Sequence, residues 1–327
     1  MATTLFRRTF LVSVYLLLAS SVWAQGAIPS GPIRLVVGFA AGSGSDAVAR
    51  VVADKLTGRI GHAVVVENKP GAAGLLAAEY VAKAPPDGST IMFSTSALNT
   101  ALALKPDLKL DPQRDLTPIA MLGRSSVALV VGPKSNAKDL AGFVREVRAM
   151  PEGASYTYGS SGTGGSTHFI TEQLADVAKL KLLHVPYKGA GPALTAVMAG
   201  EVHAMIAPPG LAATAVASNR ARVLAVTGKR RSLLVPGAPT FAEAGMPDFD
   251  ATIMTGFVGP AKMSKEPLAL LNRALNTVFK DPEFRRSLAK VDDMEIVGGT
   301  GAAYGTAMID ELARLRAVAQ RAGIRTE

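Results

Sequence analysis

The chain has 327 residues, no cysteine, and a formal net charge of +9. At about 150 residues per domain this length predicts two domains, and the 48% hydrophobic and 19% charged content argues against an intrinsically disordered chain. Apart from the triple run Lys229-Arg230-Arg231, the basic residues are scattered among acids, and no aromatic side chains interleave with them. We therefore expect a solvated basic surface and no nucleic-acid partner.

The N-terminus has the pattern of an export signal. Arg7 and Arg8 precede an apolar run at residues 10–20, and small residues before and at Ala24 form a cleavage site. We expect residues 1–24 to be a secretory signal peptide that is cleaved after Ala24, which places the mature protein in a periplasm. The alternative is an uncleaved anchor, although the run is shorter than the roughly 20 residues of a membrane span. A two-domain protein outside the cytoplasm needs no disulfides to be stable.

After this segment, short apolar runs alternate with segments of helical periodicity. The first part predicts strands at 33–39, 63–68 and 90–95, and helices at 45–58 and 75–84. The pattern then starts again, with strands at 127–133, 155–160, 180–187, 203–207 and 222–227, and helices at 137–150, 166–178 and 190–199. The segment TGFVGPA at 255–261 follows, and then helices at 265–279 and near 306–322. Such alternation with short glycine-rich turns predicts an α/β protein of two lobes, each a mainly parallel sheet flanked by helices.

Two of the strand-to-helix junctions are rich in glycine and serine. The first is GFAAGSGSD at residues 38–46, and the second is GSSGTGGSTH at residues 159–168. Glycine allows a positive φ, and a helix N-terminus presents free N–H groups and a partial positive charge. Because open α/β sheets bind ligands beyond the carboxyl ends of their strands, both junctions are candidate anion sites. The alternative is that both loops only cap helices and pack.

The residues of these loops do not fit three enzyme motifs. No lysine follows the glycines as a phosphate-binding P-loop requires, and Thr167 stands where a dinucleotide fingerprint has its third glycine. No serine has glycines two residues before and two residues after it, as a hydrolase nucleophile elbow requires. What remains is a neutral cradle of N–H and hydroxyl donors, which suits a carboxylate. The dispersed histidines and the absence of cysteine predict no metal site and no other cofactor.

Two side chains in the loops allow more than one role. A secreted serine hydrolase that uses Ser161 or Ser166 with His168 is a rival hypothesis, whereas a hydrogen-bonded residue in the first helical turn is the other interpretation of His168. Asp46 is either a first-turn carboxylate that complements the helix dipole or an acceptor for a proton of the ligand. A second rival is a sensory or accessory module that has lost ligand binding.

In their order and spacing, several segments resemble the Bug receptors, the periplasmic solute-binding proteins of tripartite tricarboxylate transporters. The matching segments lie between Ile33 and Ile324 and include IRLVVGFAAGSGSDAVAR, VVVENKPGAAG, YGSSGTGGSTH, HVPYKGAGPAL and PTFAEAGMPDF. The resemblance implies a two-lobe periplasmic binding fold, a type II-like flytrap. Chain crossings near 125–128 and 250–257 would place residues 28–126 and 252–327 in lobe 1 and residues 127–251 in lobe 2.

The resemblance also implies a function. It indicates a protein that is not an enzyme and that captures a small organic carboxylate by reversible lobe closure. Its partners would be the membrane subunits of a tripartite transporter or a sensor kinase, and it would be a monomer. Carried over residue by residue, the resemblance implies no catalytic residue and a ligand-binding set composed of Phe39, Ala41, Gly42, Ser43, Gly44, Asp46, Thr95, Ser96, Ser160, Ser161, Gly162, Thr163, Gly164, Gly165, His168 and Ala207.

Three departures from the family pattern bear on specificity. Gly38, Ala41 and Ser43 replace two prolines and a glycine, so the first loop is expected to be less rigid. Ala207-Pro208-Pro209 stands where an acidic or amide pair is common, which removes a partner for a ligand amine and argues against an amino-acid ligand. The family's usual tryptophan near Met254 is also replaced, so the distal wall of the pocket is expected to differ.

Overall fold

The structure is a computed structural model that describes residues 28–105, 108–249 and 251–324. The expected signal peptide, with its cleavage after Ala24, therefore lies outside the described residues. None of the helices within the described ranges combines the length and the apolar character that a membrane span requires.

The strands and helices are numbered here in chain order. The strands are β1 Ile33–Val37, β2 Val64–Asn68, β3 Thr90–Thr95, β4 Leu116–Ser125, β5 Ala128–Val131, β6 Tyr156–Ser160, β7 Leu182–Pro186, β8 Ala204–Ala207, β9 Arg222–Val226, β10 Ile253–Pro260 and β11 Met294–Ile296. The helices are α1 Gly44–Ile60, α2 Leu75–Ala82, α3 Ser96–Leu104, α4 Pro112–Asp115, α5 Leu140–Arg148, α6 Ser166–Ala178, α7 Ala190–Ala199, α8 Pro209–Ala217, α9 Lys265–Lys280, α10 Pro282–Leu288 and α11 Gly301–Ala322.

The strands form two separate sheets, one in each lobe. The order is β11-β4-β10-β3-β1-β2 in lobe 1 and β7-β6-β8-β5-β9 in lobe 2. Both sheets are mixed: β10 and β11 run against the other four strands of lobe 1, and β5 runs against the other four of lobe 2. The carboxyl ends of β1 and β3 therefore lie at one edge of their sheet, and those of β6 and β8 at one edge of theirs.

Helices cover both faces of each sheet, since alternate side chains of a strand point to opposite faces. In lobe 1, Leu35 packs in the cluster that includes α1 and α9, whereas its neighbour Val36 packs in the cluster that includes α2, α3 and α11. In lobe 2, α5 and α6 contribute to one cluster, and α7 and α8 contribute to the other. Each lobe thus has a core on both sides of its sheet.

The chain passes between the sheets twice. It leaves lobe 1 over Ser126 and Val127, which lie between β4 and β5. On its return, Ala251 still packs in a core cluster of lobe 2, and Ile253 begins β10 of lobe 1. The central strands of the lobe 1 sheet therefore come from both halves of the chain.

Several elements were not predicted from the sequence. Helix α3 begins directly where β3 ends, and β4 occupies a stretch that shows no clear period and contains Pro118. Helices α4, α8 and α10 and the short strand β11 were also missed. The final helix begins at Gly301, five residues before the predicted start, because Oγ1 of Thr300 accepts a hydrogen bond from the N–H of Ala303 at 3.2 Å and caps it.

Candidate ligand-binding site

The first glycine loop connects β1 to α1, and Asp46 holds it in shape. Asp46 is only 3% exposed, and its carboxylate accepts hydrogen bonds from the N–H of Gly42, from Nε of Arg50 and from the side-chain amide of Asn68, each at 2.9 Å. The Arg50 hydrogen bond, followed by that of Gly42, lowers the pKa of Asp46 to about 2. The carboxylate is thus ionised and paired inside lobe 1, which favours its interpretation as a first-turn residue that shapes the loop.

The N-terminus of α1 keeps free donors despite this bonding. Ser43 is the N-cap, and its Oγ accepts a hydrogen bond from the N–H of Asp46 at 3.2 Å. Among the hydrogen bonds of the described residues, none uses the N–H of Gly44 or Ser45. Those two groups are available to an anion at this helix terminus.

Position 38 at the start of the first loop has room only for glycine. A Cβ at this position would lie 2.6 Å from Cα of Gly74, a distance that real Cβ atoms do not reach. The loop therefore leaves β1 in direct backbone contact with the segment that precedes α2.

Thr95 and Ser96 lie at the same edge of the sheet as the first loop. Oγ1 of Thr95 accepts from the N–H of Ala97 at 3.3 Å and caps α3. The Ser96 hydroxyl is engaged twice: it donates to Oε1 of Glu311 and accepts from the N–H of Met254 at 2.8 Å. Ser96 therefore ties α3 to α11 and to the start of β10, so its side chain is occupied by protein contacts.

Glu311 is a buried carboxyl group that sequence reasoning missed. It is 8% exposed, and its Oε2 accepts a hydrogen bond from the side-chain amide of Asn99 at 2.6 Å. Burial raises the pKa of Glu311, against the hydrogen bonds from Ser96 and Asn99. Its position on α11, 215 residues after Ser96, leaves no local signal of this contact.

The second glycine loop, between β6 and α6, is folded by its own hydrogen bonds. Ser161 donates its N–H to Oγ1 of Thr167 at 2.9 Å, and Gly165 donates to the carbonyl of Gly162 at 3.1 Å. Ser160 is fully buried, and its Oγ accepts from the N–H of Gly162 at 3.1 Å. The N–H groups of Ser166 and Thr167 take part in no hydrogen bond of the described residues, so α6 also presents free donors.

His168 is a buried residue that stabilises the conformation of this loop. It is 5% exposed, its Nδ1 accepts a hydrogen bond from the N–H of Gly164 at 3.1 Å, and its ring stacks on His184 at a centroid distance of 3.7 Å. Burial, with repulsion from His184, lowers the pKa of His168 to about 4, so the ring is neutral at pH 7. Within the described part of the chain, no hydrogen bond joins His168 to Ser161 or Ser166, so the serine–histidine pair of the hydrolase hypothesis is not formed.

A different serine and histidine lie in contact. Oγ of Ser160 is 2.6 Å from Nε2 of His184, which the register of β6 and β7 pairs with Tyr158. Tyr158 stacks on His184 and donates its hydroxyl to Glu172. Because Ser160 has no exposed surface, this pair has no access to a substrate and belongs to the support of the loop.

Helix α6 brings the two lobes together. Phe169 is completely buried in the lobe 1 cluster that contains Leu98 and Met308, and Arg321 of α11 pairs with Asp176 of α6 at 2.8 Å. A cavity of about 40 Å³ lies between the lobes in this region. Its walls are formed by Ser96, Thr100, Arg124, Ser166, Phe169, Ile170, Gln173, Ala251, Thr252, Ile253, Glu311, Arg314 and Leu315.

The structure thus brings part of the predicted site to one place. Ser96 and the start of α6 border the same interlobe cavity, whereas the residues of the first loop do not line it. Ala207 is fully buried at the end of β8, next to β6, and Pro208 caps α8 without a side-chain hydrogen bond. This third helix terminus has prolines at its cap and first position, so it has fewer N–H groups for an anion, beginning at Gly210.

Known proteins share this architecture. The family model described as tripartite tricarboxylate transporter family receptor matches residues 48–324. The fold is similar to Rpa4515 of R. palustris with adipate (TM-score 0.77, 29% identity, covering 91% of this chain and 99% of that chain). It is also similar to MatC from Rhodopseudomonas palustris with bound malate (TM-score 0.73, 28% identity, covering 89% of this chain and 99% of that chain). A third similar structure is the periplasmic binding protein BugD (TM-score 0.73, 25% identity, covering 91% of this chain and 100% of that chain). The expected family and two-lobe fold are confirmed, and the chain belongs to the tripartite tricarboxylate transporter receptors, the TctC or Bug family.

Proposed function

We propose that this protein is a periplasmic receptor that captures one small organic carboxylate between its lobes and delivers it to the membrane subunits of a tripartite tricarboxylate-type transporter. The observation that carries the proposal is that each lobe has a glycine-rich loop that ends in a helix N-terminus with free N–H groups, at α1 in lobe 1 and at α6 in lobe 2. The family and the carboxylates named for two structural neighbours support the same ligand class.

The proposed cradle is made of backbone donors. The N–H groups of Gly44 and Ser45 on α1 and of Ser166 and Thr167 on α6 are free of other partners in the described hydrogen bonds, and both helix termini carry a partial positive charge. A carboxylate accepts several such bonds without a metal ion. In this proposal the two loops surround the ligand, and the side chains of Asp46, Ser96, Ser160 and His168 hold the loops in place.

The same residues favour a ligand without an amine. Asp46, the buried acid beside the first loop, is already paired with Arg50, so it is a poor partner for a ligand cation. Ala207-Pro208-Pro209 adds no acidic or amide side chain at the end of β8. We therefore propose organic acids rather than amino acids as ligands.

Binding and release would need no covalent step. A ligand that touches both lobes binds the closed arrangement more tightly, so it shifts the population toward closure by that difference in affinity. Opening at the transporter then releases the ligand. The protein would act as a monomer and not as an enzyme.

A thermal-shift panel tests the proposal. The chain from Gln25 onward is unfolded and refolded to remove carried ligand, and then heated with mono-, di- and tricarboxylates and with amino acids. A ligand at about 100 times its Kd adds about 2.7 kcal/mol, which raises the Tm by several degrees at about 2–4 °C per kcal/mol. We expect such a shift with one class of carboxylate and none with amino acids.

Two results would contradict the proposal. A folded protein that no carboxylate stabilises would favour the sensory or accessory module. Turnover of a generic ester by the pure protein, abolished by Ser161→Ala or by His168→Ala, would favour the serine hydrolase.

A further inference from the structure

The described residues that line the interlobe cavity include two arginines, which have no ion-pair partner among them. Arg124 is half-buried in its wall, and Arg314 is exposed at its rim. Among the described residues, no carboxylate oxygen lies within 4.0 Å of either guanidinium group. An arginine in such a half-buried wall without an acidic partner is unusual, because burial of a charge is costly unless the charge is paired.

Among the described residues that line the cavity, Glu311 is the acidic side chain, and one carboxylate cannot neutralise two arginines. Its Oε1 is hydrogen-bonded by Ser96 and its Oε2 by Asn99 at 2.6 Å, so both oxygens face partners on α3. Among the described residues, the titratable groups that line this space are Arg124, Arg314 and Glu311. The two arginines therefore outnumber the acidic side chain in the described part of the lining.

The other walls add neutral polar groups from both lobes. Ser96 and Thr100 lie on one face of α3 of lobe 1, and Ser166 and Gln173 lie on one face of α6 of lobe 2. The hydroxyls of Ser96 and Thr100 already donate to Glu311 and to the carbonyl of Ser96, so the Ser166 hydroxyl and the Gln173 amide are the neutral donors left for an anion. The volume of about 40 Å³ accommodates a group the size of one carboxylate or one halide ion, and not a whole organic acid.

We propose that this cavity is an anion subsite, built by Arg124 and Arg314 of lobe 1 with Ser166 and Gln173 of lobe 2, which takes one carboxylate-sized anion. The anion is either the second carboxylate of the captured ligand or a free inorganic anion such as chloride. The first source rests on the function proposed above, because Ser166 belongs both to the cavity and to the second glycine loop. The second source does not depend on that function.

The subsite would act on lobe closure. Its arginines belong to lobe 1, whereas Ser166 and Gln173 belong to lobe 2. An anion here contacts both lobes only when they lie together, so it stabilises the closed arrangement by its additional contacts. A ligand with a second carboxylate would therefore bind more tightly than the matched acid with one.

Calorimetric titrations with adipate and hexanoate, acids of equal length, test the first source. We expect adipate to bind more tightly, and Arg124→Gln and Arg314→Gln to weaken adipate by about 10- to 100-fold while leaving hexanoate unchanged. Arg316→Gln, an exposed position two residues further along α11, is the matched control and should change neither affinity. The Tm of each variant shows whether it is folded, and Arg314→Gln keeps the test valid if Arg124→Gln is not.

Anomalous diffraction from ligand-free crystals soaked in bromide tests the second source. A peak in the cavity that disappears in Arg124→Gln would establish an inorganic anion there, even if no carboxylate bound and the proposed function failed. Equal affinities for both acids in all variants, together with no bromide peak or with a peak that persists in Arg124→Gln, would overturn the subsite.

Discussion

The N–H of Gly164 donates a hydrogen bond to Nδ1 of His168 at 3.1 Å, so a buried neutral histidine holds the backbone of the second glycine loop from below. Gly164 has φ of +74°, a conformation that costs an L-residue about 1–2 kcal/mol. Backbone and histidine together set the position from which α6 presents its first N–H groups.

This hydrogen bond predicts that Gly164→Ala lowers ligand affinity in addition to its effect on stability. The new side chain strains the loop that orients α6, and carboxylate affinity should fall by about tenfold or more, as a loss of about 1.4 kcal/mol would produce. Gly153→Ala is a matched control, because Gly153 has φ of +83° in an open turn outside the site. Both variants should lose similar stability, and equal affinities in calorimetry would contradict the proposed role of the second loop.

His168 also predicts how stability depends on pH. In the unfolded chain it binds a proton below its ordinary pKa of 6.5, whereas burial keeps the folded ring neutral down to a pKa of about 4. The free energy of unfolding should therefore fall as the pH decreases from about 6.5 to about 4, by on the order of 3 kcal/mol from this residue.

Urea unfolding across this pH range measures the effect. The half-buried His184 contributes in the same direction, because its partial burial lowers its pKa too. His168→Gln should make the pH dependence shallower, because it removes this titrating group. A dependence as steep in His168→Gln as in the wild type would show that the histidine titrates normally in the folded protein.

The lowered pKa of Asp46 predicts a second dependence of stability on pH. Here the folded protein favours the ionised form of the group, whereas for His168 it favours the neutral form. The pairing of Asp46 with Arg50 and Gly42 lowers its pKa to about 2, so it contributes about 2 kcal/mol of stability above its ordinary pKa of 3.8, and this contribution is lost as the pH falls through about 2. At pH 7, Asp46→Asn should lower the free energy of unfolding by about that amount and weaken carboxylate binding through the loop. Asp54→Asn, at an exposed site on the same helix, is the control, and equal destabilisation by both changes would contradict this role.

The packing of Phe169 predicts that this side chain holds the two lobes together. It is a lobe 2 residue with no exposed surface, and it packs in a lobe 1 cluster, so Phe169→Ala should cost about 3–5 kcal/mol and loosen the contact between α6 and lobe 1. Phe143→Ala removes an equally buried ring within lobe 2 alone. Small-angle X-ray scattering of the folded variants should show a larger radius of gyration only for Phe169→Ala. No difference between the two would show that Phe169 does not hold the lobes together.

Local patterns were sufficient for the regular α/β units of the fold. Strand β3 and helices α6 and α7 have the bounds predicted from the sequence, because each is a clear apolar or helical segment between turn residues. Strand β4 was missed because its ten residues show no simple alternation and include Pro118. Helix α3 was missed because it follows β3 without an intervening turn.

The sequence predicted the two loops of the candidate site, but not the side chains that hold those loops in place. Glycine and serine at the ends of β1 and β6 indicated both helix termini, which local sequence encodes. The partners of the loops come from distant segments: His184 reaches Ser160 through the register of β7, and Glu311 reaches Ser96 from the last helix. Such contacts depend on the packed fold, and no spacing along the chain reveals them.

A crystal structure of the protein with a carboxylate selected by the thermal-shift panel tests the central claim most directly. The account predicts one acid between the lobes, with carboxylate oxygens about 3 Å from first-turn N–H groups of both α1 and α6. An acid bound to one lobe alone, or at a surface away from both helix termini, would contradict it.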